Sequence, residues 1–235
     1  MSIADASRGR PILDLGVGTG RTTSLLLLLS DDYAGLDYSL TMVERAQQEH
    51  PDVDIRVGDA RDLSAYPMAH YSLIMFSCNG IDCVNHRDRI MVFTQVRGAL
   101  APGGHFVYAT LNKRWPWFNE PPWRTDSTLM LSRPERAVRL AGQVLLRNRE
   151  YRRRWTAWLR LHKQVRDFGD WGIGPLGGPG SGLVVHWTTP AATGRELHEA
   201  GLEVVSMFNS DGSRIGTEHG DAASGTFHVV AERPS

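Results

Sequence analysis

Apolar and polar positions alternate in blocks along the first 111 residues. Short apolar runs at Ile12–Leu15, 33–36, 53–57, Tyr71–Phe76 and 105–111 are each too short for a helix and are bounded by Gly, Asp or Asn. They predict parallel strands buried on both faces. Between them, 21–30, Leu40–Glu49 and 87–100 have the spacing of amphipathic helices. Asn85 is a candidate N-cap for the last of these, with Asp88 near its positive end, and Ala101-Pro102-Gly103-Gly104 stops it. This alternation predicts an α/β sheet covered by helices on both faces.

Residues 112–183 break the rhythm. All seven tryptophans lie at or beyond position 115, and Trp115, Trp117 and Trp123 share a proline-rich stretch. Ser132-Arg133-Pro134-Glu135 has capping-box spacing, and Leu140, Val144, Tyr151, Trp155, Trp158 and Val165 recur at roughly helical intervals. One long or two shorter helices are expected there. Residues 169–182 hold seven glycines in 14 positions and predict a mobile loop or hinge, so the segment reads as a cap that opens and closes. Regular structure resumes at 183–188. Thr189-Pro190 then predicts an N-cap and first helical residue, Gly201 a stop, and 202–208 with 226–231 a closing hairpin.

A chain of 235 residues can bury a sizeable core, as one large domain or a domain with an appendage. Lys+Arg and Asp+Glu are 26 each, which does not suggest a strongly basic nucleic-acid binder overall. The balance is uneven: residues 1–110 are net −4, and 111–235 net +4. Segment 133–166 carries ten arginines and Lys163 against Glu135 and Glu150. That segment is either a cap helix with a solvated face, which the spacing favours, or a surface for RNA phosphates. Cys78 and Cys83 cannot build a disulfide framework or a four-cysteine zinc site, and the nine histidines show no metal-ligand spacing, so no metal is expected. The Leu25 to Leu29 run is far below the roughly 18 apolar residues that span a bilayer, and no basic-then-apolar leader opens the chain. A soluble, cytoplasmic protein without a membrane partner is the expectation.

The chemistry is concentrated in Ile12-Leu13-Asp14-Leu15-Gly16-Val17-Gly18-Thr19-Gly20-Arg21. A buried strand runs into three glycines at alternate positions, which let backbone approach a ligand at a helix N-terminus. Arg21 occupies the place of the third glycine in a dinucleotide fingerprint, and no Lys-Ser or Lys-Thr pair completes a P-loop. Asp37 ends the second strand, 21 positions after Gly16, where a carboxylate can accept hydrogen bonds from both hydroxyls of a ribose. Gly58-Asp59-Ala60 ends the third strand and Phe76-Ser77-Cys78-Asn79-Gly80 the fourth.

Together these residues resemble the class I S-adenosylmethionine-dependent methyltransferases, well over 11–111 and more loosely over 184–232. The resemblance implies S-adenosylmethionine as cofactor and a Rossmann-like, doubly wound, seven-stranded sheet with its last strand antiparallel. A mainly helical cap insertion would occupy 112–183, with 1–111 and 184–235 forming the cofactor domain. It also implies Asp14, Gly16, Gly18 and Gly20 as the glycine-rich loop with its strand acid, and Asp37 as the ribose clamp. Tyr38 and Met42 would neighbour the adenine, Asp59-Ala60 its amino group, and Ser77 and Asn79 the methionine portion. Leu100 to Gly104 is similar to the family's turn before strand five. Members usually carry a helical segment before the first strand; about ten residues precede it here, so either the chain is truncated or 112–183 supplies the cover.

The implied reaction is methyl transfer to an oxygen or nitrogen of a small organic acceptor. His186 is the candidate general base or acceptor contact, and Asp82, Asn112 and Trp115 are further candidates for the acceptor side. The rival expectations are an RNA methyltransferase using 133–166 and a cofactor-binding module without turnover. The oligomeric state is left open.

Overall fold

The computed structural model describes residues 3–119, 155–156, 158–176, 183–216 and 224–235. After a short helix α1 (Ile3–Ser7), the chain alternates β1 (Ile12–Leu15), α2 (Thr23–Leu27), β2 (Tyr33–Asp37), α3 (Leu40–Glu49), β3 (Asp54–Val57) and β4 (Tyr71–Phe76). A 3-10 turn at Gly80–Cys83 leads to α4 (His86–Ala99) and β5 (Leu100–Leu111). Then come β6 (Arg166–Asp167), β7 (Trp171–Pro175), β8 (Val184–Thr188), α5 (Pro190–Glu199), β9 (Glu203–Asn209), β10 (Arg214–Ile215) and β11 (Thr226–Glu232).

The main sheet runs β10-β9-β11-β5-β4-β1-β2-β3. β1 to β5 pair in parallel, while β11 is antiparallel to both β5 and β9. The expected doubly wound sheet is therefore present, with one strand more than seven, because the two-residue β10 adds an antiparallel edge to β9. β1 is buried at all four positions, as a central parallel strand must be. Apolar residues of α4 and α5 (Val92, Phe93, Val96, Leu197) pack on one face, and those of α2 and α3 (Leu26, Val43, Ala46) on the other. Register then fixes the location of the site. Leu15 lies level with Leu36 and Phe76, and Asp37 with Val57, so four strands end on one edge. Chain direction diverges between β1 and β4, and this switch point opens a crevice at those ends.

The insertion contributes strands as well as helical turns. β6, β7 and β8 form a separate antiparallel sheet, while in the described part of 112–183 the helical residues (116–119, 155–156 and 158–164) outnumber those in strands. β8 belongs to that sheet, and an isolated β-bridge from Asn112 to Thr188 links it to the end of β5. Five of the 14 residues of the glycine-rich segment, Trp171–Pro175, form strand β7. A Cβ on Gly172 would lie 2.4 Å from the Phe118 ring, and one on Gly174 would lie 2.7 Å from the Phe118 carbonyl oxygen. These glycines serve close packing, which composition alone cannot distinguish from freedom. Leu111, Phe118, Val185 and Trp187 make the apolar joint between the two sheets. Residues 177–182, Trp123, the Ser132–Glu135 box, Leu140, Val144, Tyr151 and most of basic segment 133–166 lie outside the described residues. No described helix is long and apolar enough to cross a membrane.

Candidate functional site

A cavity of about 460 Å³ opens at the strand ends. Its walls include Gly16 after β1, Asp37 and Tyr38 after β2, Asp59, Ala60 and Arg61 after β3, Phe76, Ser77 and Cys78 after β4, and Asn85 and Asp88 at the start of α4. The glycines have two uses here. A Cβ on Gly16 would stand 2.6 Å from the Phe76 ring, and one on Gly80 2.1 Å, so the ring fits only between bare backbones. Gly18, at φ 59°, turns its N–H to Asp37 Oδ2 at 2.8 Å, and Ser39 N–H donates to Asp37 Oδ1 at 2.9 Å. Two backbone donors thus hold the Asp37 carboxylate, and each oxygen keeps acceptor capacity toward the cavity.

Asp59 and Asp88 face each other across Arg61, which donates to Asp59 Oδ2 at 2.6 Å and to Asp88 Oδ2 at 2.7 Å. The hydrogen bonds to Arg61 hold the Asp59 carboxyl below the usual carboxylate range, and both aspartates raise the guanidinium in turn. With Asp37, three carboxylates meet one guanidinium, so the lining has an excess of negative charge. Asn85 caps α4 as expected, accepting from Asp88 N–H at 3.0 Å.

Gly16, Asp37, Tyr38, Asp59, Ala60 and Ser77 are brought together as the sequence suggested. Others are not. Asp14 is buried beneath the loop, with Oδ2 accepting from Thr22 Oγ1 at 2.9 Å and Tyr33 OH at 3.2 Å and Oδ1 without a partner. Burial pushes its carboxyl up to about 6. Gly20, at φ 86°, packs against His50, and Met42 stands half-exposed on α3 outside the lining. Asn79 turns at φ 61° and donates to Thr226 Oγ1 at 3.4 Å, away from the lining.

The acceptor-side candidates have structural places. Asp82 is buried and accepts from Thr110 Oγ1 at 2.5 Å, Leu111 N–H at 2.8 Å and Arg89 Nη1 at 3.1 Å; burial pushes it up to about 6 against the pull of Arg89. Asn112 is buried, donating to the Ser224 carbonyl at 3.2 Å and accepting from Arg114 N–H at 3.0 Å. Trp115 packs over Gly225, where a Cβ would come within 3.0 Å of its ring. His186 is 3% exposed within β8, outside the cavity lining, and burial first, then Arg89 and His86, push its pKa down to about 2. The structure therefore places His186 apart from the residues gathered around the cavity. Sequence reasoning missed Arg61 and the cavity role of Asp88. The Asp59-x-Arg61 spacing was visible, but the 27-residue reach to Asp88 was not.

Residues 12–104 match the methyltransferase domain family model. A curated demethylmenaquinone methyltransferase of Renibacterium salmoninarum is 30% identical over 131 residues, 55% of this chain and 52% of its own. The chain spans about half the length of the curated relatives it matches. Among solved structures, an S-adenosylmethionine-dependent methyltransferase from Mesorhizobium loti is 18% identical, with TM-score 0.60 over 97% of this chain and 93% of that one. A glycopeptide N-methyltransferase complexed with S-adenosylmethionine is 16% identical, with TM-score 0.59 over 97% and 83%. At these identities the solved structures share the fold.

Proposed function

We propose that the chain is a class I S-adenosylmethionine-dependent methyltransferase that binds S-adenosylmethionine at the strand ends and methylates an oxygen or nitrogen of a small organic acceptor; the match of residues 12–104 to the methyltransferase domain family model supports this. The observation that carries this reading is the acid-lined cavity beside the glycine turn, with Asp37 fixed by two backbone donors. The lining fits the cofactor's chemistry. Its negative excess suits a ligand with a sulfonium and an ammonium, and it disfavours a pyrophosphate. Asp37 would hold the ribose hydroxyls, Tyr38 and Ala60 would flank the adenine with Asp59 near its amino group, and Gly16 and Ser77 would border the methionine portion.

When bound, the cofactor supplies a methyl group already activated by its positive sulfur. What remains for the protein is alignment and exclusion of water. Asp14, tied to Thr22 and Tyr33, anchors the turn between β1 and α2, and the Gly18–Asp37 bond locks that turn to β2. Among the described lining residues, Asp59 and Asp88 are committed to Arg61. The acceptor therefore brings its own lone pair, as a neutral amine or an ionised oxygen.

Incubation with S-adenosylmethionine and a panel of amines, phenols, carboxylic acids and demethylmenaquinone, read by mass spectrometry, tests this. S-adenosylhomocysteine and a methylated product should accumulate with at least one amine or oxygen acceptor. Cofactor binding with no S-adenosylhomocysteine above the acceptor-free control would make the chain a binding module. Turnover on RNA alone would overturn the small acceptor.

A further inference from the structure

Away from the cavity lining, the first residue of α4, the middle of β8 and the second turn of α5 bring His86, His186 and Glu196 together. His86 Nδ1 lies 3.1 Å from His186 Nε2 and 3.5 Å from Glu196 Oε1, and the three atoms all lie within 4.8 Å of one another. We propose that these three side chains form a binding site for a divalent transition-metal cation of the zinc class, which clamps the three-stranded sheet to the helical face of the main sheet.

Hydrogen accounting favours a cation. Between two neutral imidazoles, the 3.1 Å contact is served by one proton. Glu196 Oε1, in a side chain 8% exposed, is then left facing His86 with no donor. Leaving a buried carboxylate oxygen in that state is costly. A metal ion satisfies both nitrogens and the oxygen at once. Four-coordinate zinc with bonds of about 2.0–2.1 Å requires ligand atoms roughly 3.3 Å apart, close to the observed 3.1 and 3.5 Å. Two imidazole nitrogens with one carboxylate oxygen suit zinc or cobalt rather than magnesium or calcium, which prefer all-oxygen sets.

The surroundings hold the ligands in place. Arg89 Nε donates to Glu196 Oε2 at 3.2 Å and turns Oε1 toward the histidines. Arg89 is itself held by Asp82, so two carboxylates share one guanidinium and the cluster can accommodate added positive charge. The His86 ring stacks on Trp171 at 3.8 Å and 10°, which fixes its plane. Outer partners of this kind orient ligands before the metal arrives. The His86 side chain is 35% exposed and gives the ion a way in. His86 and His186 are 100 residues apart in sequence, which is why no spacing announces the site. The inference does not depend on the methyl-transfer reading.

The test uses the untagged full chain, stripped with a chelator and titrated with Co²⁺ in a visible spectrometer and with Zn²⁺ in a calorimeter. One equivalent should bind, with the absorption bands of low-coordinate Co²⁺ and a rise in Tm. His86→Ala should weaken binding by at least about 10- to 100-fold, the loss that even outer partners cause. His198→Ala, at an exposed histidine on α5, the helix that carries Glu196, should leave it unchanged. If His86→Ala does not fold, His86→Gln replaces it. Absence of one-equivalent binding, or equal binding by the His86 variant, would overturn the site; the cluster would then be a His86 imidazolium paired with Glu196.

Discussion

Asp14 shows how a residue type can be read correctly and its placement wrongly. An acid two positions before a glycine turn suggests a ligand contact, yet its side chain points beneath the loop, where Thr22 and Tyr33 hold one oxygen and the other has no partner. Burial raises its carboxyl to about 6 from 3.8. Below about pH 4 the group is protonated whether folded or unfolded. Above about pH 6 the native state must carry a buried charge that the unfolded chain carries in water. Stability attributable to Asp14 therefore falls as pH rises from about 4 to 6, by on the order of 2–3 kcal/mol. Urea denaturation at pH 4 and pH 7 should show the stability of Asp14→Asn rising relative to the parent by that amount. A pH-independent difference would contradict the assignment. His186 and Asp82 follow the same logic: their types suggested a place at the cavity, and their tertiary partners far away in sequence hold them outside its lining.

At the scale of elements, helices with end signals were legible. Leu40–Glu49 is exact, α4 starts at its Asn85 cap, and α5 begins after Thr189, whose Oγ1 accepts from Ala192 N–H at 3.2 Å. Thr189→Ala should cost about 1 kcal/mol in chemical denaturation, while Thr189→Ser retains most of that stability. No difference between the two variants would show that the cap contributes nothing. α5 carries Glu196, so the same loss should loosen the His86–Glu196 contact. β7 was not legible. Trp171–Pro175 contains two glycines and a proline, the punctuation of a loop, and becomes a strand because Phe118 needs the space those glycines leave. Such a demand comes from a residue more than fifty positions away and leaves no local trace.

Across the whole molecule, parallel register turns scattered strand-end motifs into one wall. Gly16, Asp37, Asp59 and Ser77 were readable because each follows a buried run, and a doubly wound sheet brings all such ends to one edge. Phe76 filling the space between Gly16 and Gly80, and Arg61 joining Asp59 to Asp88, depend on side-chain packing that strand patterns do not encode. The central claim, that this acid-lined edge binds S-adenosylmethionine through Asp37, is tested most directly by calorimetric titration of the folded parent and Asp37→Asn. The parent should bind the cofactor and not NADH. The variant should lose charge-assisted hydrogen bonds worth about 2–3 kcal/mol, a weakening of roughly 30- to 150-fold. Equal affinity in the two proteins, or NADH binding in place of S-adenosylmethionine, would contradict the account.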